Sequence, residues 1–196
     1  DLYITILGED SEYQYETNSY DGFNRLVNVK RPGITASYTY GIDGLRLSKE
    51  VNGEITNHIW DGNNIVAETD ASGNIIDRYV RGANLLYSDN QGYYNYNGHK
   101  DVVHLTDETG AISTEYDYDA YGVQDDMDSD DHNPFRYSGE YYDTETGYIY
   151  LRSRYYNPAT GRFVNEDPIR DGINWYTYAN NNPVNRWDPT GLASSG

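Results

Sequence analysis

Apolar and polar residues alternate along short runs of this chain, and turn-forming pairs separate the runs. Residues 34–40 and 75–80 follow such an alternation, and Asn52-Gly53 is one of the pairs that lie between runs. A period of two is typical of a β-strand with one buried face, and Asn-Gly supplies the positive φ that tight hairpin turns need. The spacing of an amphipathic helix is not kept over three turns anywhere in the chain. The pattern therefore predicts an all-β chain built from hairpins.

The hairpins repeat with a period of about twenty residues. One register is marked by an aromatic residue before Asp-Gly or Gly, at Tyr20, Tyr40 and Trp60. A second register is marked by glycine, at Gly33, Gly53 and Gly73. One hairpin cannot bury its own apolar face, so we expect the units to stack into a continuous antiparallel sheet. An ordinary β-sandwich or barrel is the alternative, although such folds rarely keep a fixed unit length.

Tyrosine dominates the apolar content of the chain. Of its 196 residues, 23 are tyrosines, while hydrophobic residues of all kinds make up 37%. Tyrosine combines a large apolar body with a hydroxyl that can stay hydrated, which suits a half-buried pleated surface. A compact globule would use more Leu, Ile and Val. The composition therefore favours a sheet with wide faces and a thin core.

Charge and residue content exclude several classes of function. Acidic residues outnumber basic ones by 32 to 14, which gives a formal net charge of -18. Binding of phosphates requires Lys and Arg, so we expect no nucleic-acid partner for this segment. No apolar run approaches the roughly 20 residues of a membrane span, so we expect no membrane insertion by this segment. Cysteine is absent and the four histidines lack ligand spacing, so the sequence predicts no metal site and no cofactor.

Motifs in the second half of the chain carry a family resemblance. Residues 116–122 read YDYDAYG, and residues 141–158 read YYDTETGYIYLRSRYYNP. The pattern P-x(4)-D-P-x-G-L follows, from Pro183 to Leu192. Together with the aromatic-Asp-Gly units, these motifs resemble the Rhs/YD-repeat family, which includes bacterial polymorphic toxins, toxin-complex C components and the animal teneurins. The resemblance is strong from Tyr116 to Leu192 and diffuse in the repeats before it.

The resemblance implies a spiral of stacked antiparallel β-hairpins that forms a hollow shell, with a carboxy-terminal segment that curls inward as a plug. It divides the chain into a YD-repeat hairpin array over residues 1–115 and an Rhs core-associated domain over residues 116–192. The second of these ends in the family's self-cleavage motif. Residues 193–196 would then be the start of a downstream toxin region that this sequence does not contain.

The family's self-cleaving segment uses one Arg and two Asp residues, which correspond here to Arg154, Asp167 and Asp188. Two carboxylates close together shift each other's proton affinity in opposite directions, so one serves as acid and the other as base in peptide hydrolysis. A nearby cation stabilises the developing oxyanion. The bond expected to be cut joins Leu192 to Ala193. Asp-Pro is also a common turn start, so the residues alone leave a purely structural interpretation open.

Other residues of the motif are predicted to shape its backbone. Pro183 and Pro189 fix bends in the backbone, and Gly191 allows a close backbone approach. Leu192 supplies an apolar anchor beside the bond. The fold must therefore bring the motif close to Arg154 and Asp167.

The function implied is that of the carboxy-terminal part of an Rhs shell, which encloses a fused toxin domain and releases it by aspartyl self-cleavage after Leu192. The enzyme would be a single-turnover intramolecular autoprotease, and its partners would be the fused toxin and the rest of the shell. Such a protein would be secreted or displayed on a bacterial cell surface. The alternative is a non-catalytic extracellular module whose sheet binds a carbohydrate or a protein. That alternative accounts for the repeats but leaves the set of Arg154, Asp167 and Asp188 unexplained.

Overall fold

A computed structural model describes residues 2–5, 14–125, 127–128, 130–170, 173–193 and 195. Over these ranges the strands form two antiparallel sheets, of twelve and of four strands, and the helices are two short 3₁₀ turns, Tyr137–Gly139 and Ala179–Asn181. Neither turn has the length or apolarity needed to cross a membrane. The prediction of an all-β fold of stacked antiparallel hairpins is confirmed. Of the predicted tail 193–196, Ser194 and Gly196 lie outside the described residues.

The larger sheet, here called the ribbon, is a meander in which each strand pairs with the next one in sequence. Its strands are β1 (Leu2–Thr5), β2 (Gln14–Tyr20), β3 (Leu26–Arg31), β4 (Ile34–Tyr40), β5 (Arg46–Val51), β6 (Glu54–Asp61), β7 (Asn64–Thr69), β8 (Ile75–Arg81), β9 (Leu85–Ser88), β10 (Gly92–Tyr96), β11 (Val102–Thr106) and β12 (Ile112–Glu115). Strands β2, β4, β6 and β8 begin at residues 14, 34, 54 and 75, so the period seen in the sequence is the period of the hairpins.

At two of the repeats the aromatic residue bonds the strand that precedes its own. Tyr40 Oη donates a hydrogen bond to the Leu26 carbonyl at 2.5 Å, and Trp60 Nε1 donates to the Arg46 carbonyl at 2.8 Å. A register shift lies immediately before each of these aromatic residues. Such a bulge re-aims the side chain that follows it. Tyr40 and Trp60 therefore tie β4 to β3 and β6 to β5, whereas Tyr20 Oη donates to the Val164 carbonyl at 2.8 Å.

The acidic residue of the repeat caps the turn. Asp21 Oδ1 accepts hydrogen bonds from the backbone N–H groups of Phe23 and Arg25, both at 2.9 Å. Asp70 Oδ1 caps a later turn in the same way, through the N–H of Asn74 at 2.9 Å. A short carboxylate that bonds backbone two to four residues on stabilises a turn without help from the core. Asp21 and Asp70 thus stabilise their turns by local hydrogen bonds alone.

The second sheet consists of β13 (Tyr141–Asp143), β14 (Tyr148–Leu151), β15 (Arg154–Asn157) and β16 (Arg162–Phe163), and it packs on one face of the ribbon. All four residues of β14 are buried. Its tyrosines belong to a cluster shared with the ribbon, whereas Ile149 and Leu151 pack with Tyr178 of the segment that follows β16. That segment, residues 164–195, is here called the terminal coil. The second sheet therefore packs on the ribbon through one face and on the terminal coil through the other.

The ribbon and the second sheet meet in a filled interface. Tyr38 of the ribbon contacts Tyr155 at a ring-centroid distance of 5.3 Å, and Trp60 contacts Tyr150 at 6.4 Å. A cavity of about 290 Å³ remains where the edge of the second sheet faces β2 and β3, and Tyr142 is part of its lining. A space large enough for a protein domain is therefore not formed by the described residues alone.

A buried cluster of charges joins the two sheets. The side chains of Arg46 and Asp143 are both 0% exposed, and Arg46 Nη1 lies 2.5 Å from Asp143 Oδ2. Lys49 Nζ lies 3.1 Å from Asp143 Oδ1 and 3.1 Å from Glu145 Oε2. Burial alone would raise the pKa of Asp143, but Arg46 and Lys49 outweigh it and hold that pKa below its ordinary value. Removal of one partner from such a pair leaves a buried charge uncompensated, so this interface salt bridge fixes how the sheets dock.

Candidate functional site

Arg154 is the first residue of β15 and faces the terminal coil. It lies on the same side of the strand as Tyr156, whose ring stacks on Tyr178 of the coil at 3.9 Å between centroids. The guanidinium carbon is 3.6 Å from the centroid of the Phe163 ring, and the residue is 3% exposed. Burial lowers the pKa of Arg154, and the carboxylates of two aspartates oppose that effect. The second sheet thus presents one buried cation to the terminal coil.

Those two aspartates are Asp167 and Asp188. Arg154 Nη2 lies 3.5 Å from Asp167 Oδ2 and 3.9 Å from Asp188 Oδ2. Both aspartates are buried, at 6% and 3% exposure. The structure therefore brings together the three side chains that the motif match singled out. Their part in catalysis stays a prediction.

Asp167 is held between the terminal coil and the ribbon. Its Oδ1 accepts a hydrogen bond from the Ile169 N–H at 2.8 Å, and its own N–H donates to the Trp175 carbonyl at 3.0 Å. Just upstream, Asn24 of the β2–β3 turn donates from Nδ2 to the Glu166 carbonyl at 3.2 Å. The position of this carboxylate therefore depends on a turn of the ribbon far away in sequence.

Asp188 contacts the bond that is expected to be cut. Its Oδ1 accepts backbone hydrogen bonds from Thr190 at 3.1 Å, Gly191 at 2.8 Å and Ala193 at 3.3 Å. The Ala193 nitrogen is the amide nitrogen of the Leu192–Ala193 peptide. Burial raises the pKa of Asp188, and the backbone donors and Arg154 offset this only in part. A carboxyl group inclined to hold its proton therefore sits beside the leaving nitrogen.

The chain on both sides of that bond is anchored. Trp187 N–H donates to the Ser195 carbonyl at 3.0 Å, and Ser195 N–H donates to the Trp187 carbonyl at 2.7 Å. The indole of Trp187 rests on the β10–β11 turn, where Lys100 Nζ lies 4.6 Å from the ring centroid. Between these anchors Leu192 is half-buried and Ala193 is exposed. Water therefore has access to a bond whose two ends are fixed.

Gly191 lies at the most crowded point of the motif. Its φ is +73°, and a Cβ atom there would lie 2.8 Å from the Leu151 carbonyl oxygen and 2.9 Å from the Arg154 nitrogen. Any larger residue would push the motif away from the second sheet. Pro183 is buried and Pro189 is half-buried. The geometric residues of the motif thus lie where the coil approaches the second sheet.

Sequence reasoning missed two charged residues beside the motif. Arg152 Nη1 donates to the Pro189 carbonyl at 2.5 Å and lies 2.7 Å from Glu140 Oε2. The spacing of Arg152 and Arg154 is the signal that could have pointed to them, because residues two apart on a strand share a face. Arg152 however lies in the turn between β14 and β15 with a φ of +61°, which no local propensity predicts.

The arrangement suits hydrolysis of a peptide bond. Two buried carboxylates lie within 4 Å of one guanidinium nitrogen, and burial raises the pKa of one of them, Asp188. Hydrolysis of the Leu192–Ala193 bond would consume one water and leave a carboxylate on Leu192 and an amine on Ala193. Over the ranges that the structure describes, no cluster of three or more His, Asp and Glu is arranged to hold a metal ion.

Comparison with known proteins gives two similar sequences and one similar structure of note. The chain is 38% identical over 198 residues to the tRNA(Glu)-specific nuclease WapA of Bacillus subtilis subsp. natto. This match covers 93% of this chain and 8% of that protein. It is 48% identical over 61 residues to the toxin protein Tse5 of Pseudomonas aeruginosa. This second match covers 30% of this chain and 5% of that protein. The chain therefore spans a small part of the length of these relatives. No family model matches it.

The structural likeness concerns the fold. In the crystal structure of TcdB2-TccC3-Cdc42, one chain superposes on this one with a TM-score of 0.70 at 24% identity. The superposition covers 90% of this chain and 10% of the other. The ribbon and the second sheet thus recur together in a much longer polypeptide.

Proposed function

This chain belongs to the Rhs/YD-repeat family, and we propose that it forms the carboxy-terminal part of a repeat shell that encloses a fused toxin domain and frees it by cutting after Leu192. The proposal has two parts, self-cleavage and enclosure. Self-cleavage rests on the site geometry in this chain. Enclosure rests on the fold and on the relatives.

One observation carries the self-cleavage. A single guanidinium nitrogen of Arg154 holds Asp167 and Asp188 within 4 Å, and Asp188 in turn bonds the nitrogen of the Leu192–Ala193 peptide at 3.3 Å. A capping role alone would account for the backbone bonds of Asp188. It would not account for a second buried carboxylate and a buried cation at the same point.

The mechanism follows from these positions. Asp167 in its charged form takes a proton from water, whose oxygen attacks the Leu192 carbonyl carbon. Arg154 stabilises the negative charge that collects at the site in the transition state. Asp188, whose pKa is raised by burial, carries its proton on Oδ2, because Oδ1 accepts the backbone N–H groups, and it supplies that proton to the Ala193 nitrogen as the peptide bond breaks. The product carboxylate stays on Leu192, and the amine departs with the downstream chain.

The test uses this chain with a reporter domain fused after Gly196. We expect the unsubstituted fusion to split during incubation, with a first-order rate that does not change on dilution because the reaction is intramolecular. Asp167→Asn and Asp188→Asn preserve size and remove the charge, so both fusions should stay intact. The products are measured by intact mass spectrometry.

Asp107→Asn is the matched control, because Asp107 caps an exposed ribbon turn through the N–H groups of Thr109 and Ala111 as Asp188 caps the motif. This control should cleave at the unsubstituted rate. An uncut unsubstituted fusion would sink the self-cleavage proposal and leave a scaffold or binding module. Equal cleavage in the two Asp variants would do the same.

For enclosure, the supporting observation is that the ribbon already wraps one face of the domain that carries the motif, while the relatives are far longer than this chain. Further repeats would then supply the rest of the wall around a fused toxin, in a protein that is secreted or held at the bacterial surface. In a full-length relative, the cut toxin should resist added protease until the shell is unfolded. Immediate digestion of the cut toxin would contradict enclosure.

A further inference from the structure

The turn between β14 and β15 holds three consecutive carbonyls of the terminal motif. The pairs, in order, are Arg152 Nη1 with the Pro189 oxygen at 2.5 Å, Ser153 N with the Thr190 oxygen at 3.2 Å, and Arg154 Nε with the Gly191 oxygen. Three successive residues that begin at Arg152 therefore bond three successive residues of the motif, in the same order. The next carbonyl along the chain is that of Leu192, which belongs to the bond expected to be cut.

Arg152 is the charged residue of this set that has no role in the proposed reaction. It adopts a φ of +61°, in the left-handed region that side chains other than glycine avoid. Such a conformation persists where surrounding contacts impose it, and it is often found at functional sites. The Arg152 Nε also donates to the carbonyl of Asn63 in the β6–β7 turn at 2.8 Å. One side chain thus ties the motif to the ribbon as well as to the second sheet.

Glu140 holds the guanidinium of Arg152 in this orientation. Its Oε2 lies 2.7 Å from Arg152 Nη1, and both side chains are largely buried. A guanidinium that bonds a buried carboxylate has a fixed direction for its remaining donors. The Pro189 carbonyl receives one of those donors.

Other ionisable groups also face Glu140. Burial raises the pKa of Glu140, Arg152 and Arg81 of β8 lower it, and Asp188 raises it further. The hydroxyls of Tyr96 in β10 and Tyr178 in the terminal coil lie close enough to feel its charge. Glu140 therefore lies between the ribbon, the second sheet and the terminal coil, close to Asp188 itself.

We propose that Arg152, held by Glu140, is a positioning residue that sets the register of the motif, so that the Leu192–Ala193 bond is the one presented to Asp167 and Asp188. The inference rests on the proposed self-cleavage. It adds that the position of the cut is set by the number of residues after the three bound carbonyls. Recognition of the Leu192 side chain does not set it.

The first test combines Arg152→Gly with Glu140→Gln in the reporter fusion. Glycine accepts the left-handed conformation without strain, and glutamine avoids a stranded buried charge. We expect cleavage to slow by about 10²-fold, the cost of an ångström-scale misplacement, and the cut to spread to neighbouring bonds. Arg152→Lys with native Glu140 should restore part of the rate. Arg162→Gln, at an exposed arginine of β16, is the matched control and should cleave normally.

Folding is followed separately, in fusions that also carry Asp188→Asn and so stay uncut. The midpoint of thermal unfolding should be nearly the same with and without the Arg152 and Glu140 substitutions. Glu140→Gln alone should slow the cut and spread it to neighbouring bonds without lowering the midpoint. A merely structural contact would lower the midpoint and leave the position of the cut unchanged.

The second test moves the leucine. Leu192→Ala should be cut at the same bond, and a glycine inserted between Gly191 and Leu192 should be cut after the inserted glycine. A cut after the leucine in the insertion variant would contradict the proposed role of Arg152. A native rate and a native cut position in the Arg152 variants would contradict it too. If the unsubstituted fusion itself stays uncut, self-cleavage fails and the positioning role fails with it. If that fusion cuts and the variants match it, only the positioning role fails.

Discussion

The ribbon and the terminal coil reverse the chain in different ways. Ribbon turns at Gly33, Gly53 and Gly73 have positive φ, yet an added Cβ at any of them would meet no atom within 4 Å. In the terminal coil, Gly191 also has positive φ, but an added Cβ would come within 3.0 Å of two backbone atoms of the second sheet. These three ribbon turns therefore need glycine for conformation alone, while the coil needs Gly191 for conformation and for space.

The same contrast holds for aspartate. In the ribbon, Asp70 and Asp107 cap exposed turns, and backbone and side-chain donors hold the pKa of each below its ordinary value. In the coil, Asp188 caps a turn with similar bonds, but its burial outweighs them and raises its pKa. One residue type in one local geometry thus has a lowered pKa in the solvent and a raised pKa in the interior. The raised pKa of Asp188 therefore depends on the packing of the coil against the second sheet, and not on the motif alone.

The largest effect that would sharpen this comparison is expected at Gly191. Gly191→Ala should slow cleavage of the reporter fusion by about 10²-fold or more, because the coil must retreat from the backbone of β14 and β15. Gly73→Ala is the control, since it has the same sign of φ in open space. Intact mass against time measures both. Equal rates in the two variants would remove the distinction between the regions.

The next effect is on stability, at the interface salt bridge. Arg46→Met leaves Asp143 buried without its main partner, so the free energy of unfolding should fall by about 3–5 kcal/mol. Arg78→Met removes an arginine that is 67% exposed and pairs with Asp89 on the ribbon surface, and it should change stability little. Urea unfolding followed by tyrosine fluorescence gives both values. The double variant Arg46→Met with Asp143→Leu should recover much of the loss, and a failure to recover would contradict the charge argument.

The same salt bridge predicts a dependence of stability on pH. The pKa of Asp143 is lower in the folded chain than the ordinary value of 3.8, so its contribution is complete at neutral pH. That contribution should be lost as pH falls below 3.8 and through the folded pKa. Asp143→Asn, compared by urea unfolding at neutral pH and at pH about 3, should show a smaller loss of stability on acidification. An unchanged loss would mean that other groups govern acid unfolding.

The smallest effect is expected in a ribbon turn. Asn52 has a φ of +52°, accepts a hydrogen bond from the Thr35 N–H at 2.8 Å and donates to the Gly33 carbonyl at 3.0 Å. Asn52→Gly keeps the conformation and loses the exposed bonds, so stability should change by about 1 kcal/mol or less. Asn52→Val adds backbone strain and should cost more. Cleavage should be native in both, and a slowed cut would show that the ribbon turns are not passive.

Much of the ribbon could be read from the sequence because its information is local. The alternating run 34–40 is strand β4, Ile34–Tyr40, and the run 75–80 lies within β8, Ile75–Arg81. A period of two and a turn pair are both properties of neighbouring residues, so nothing beyond them is needed to place a hairpin. The contact between Arg46 and Asp143 has no such signal, because 97 positions separate two residues that are each surrounded by ordinary strand sequence.

The candidate site was only partly accessible from the sequence. A motif match could name Arg154, Asp167 and Asp188, because residue identities at fixed spacing are all that it requires. It could not show that Asp188 bonds the Ala193 nitrogen, since that depends on how the coil folds back on β15. Nor could it find Glu140, whose contact with Arg152 depends on a turn in the left-handed conformation.

The most direct test of the central claim is the amino-terminal sequence of the piece released from the reporter fusion. The account predicts a single new terminus that begins at Ala193, and no released piece from the Asp188→Asn fusion. A terminus at any other residue, or release that survives Asp188→Asn, would contradict the claim that these buried carboxylates cut the chain after Leu192.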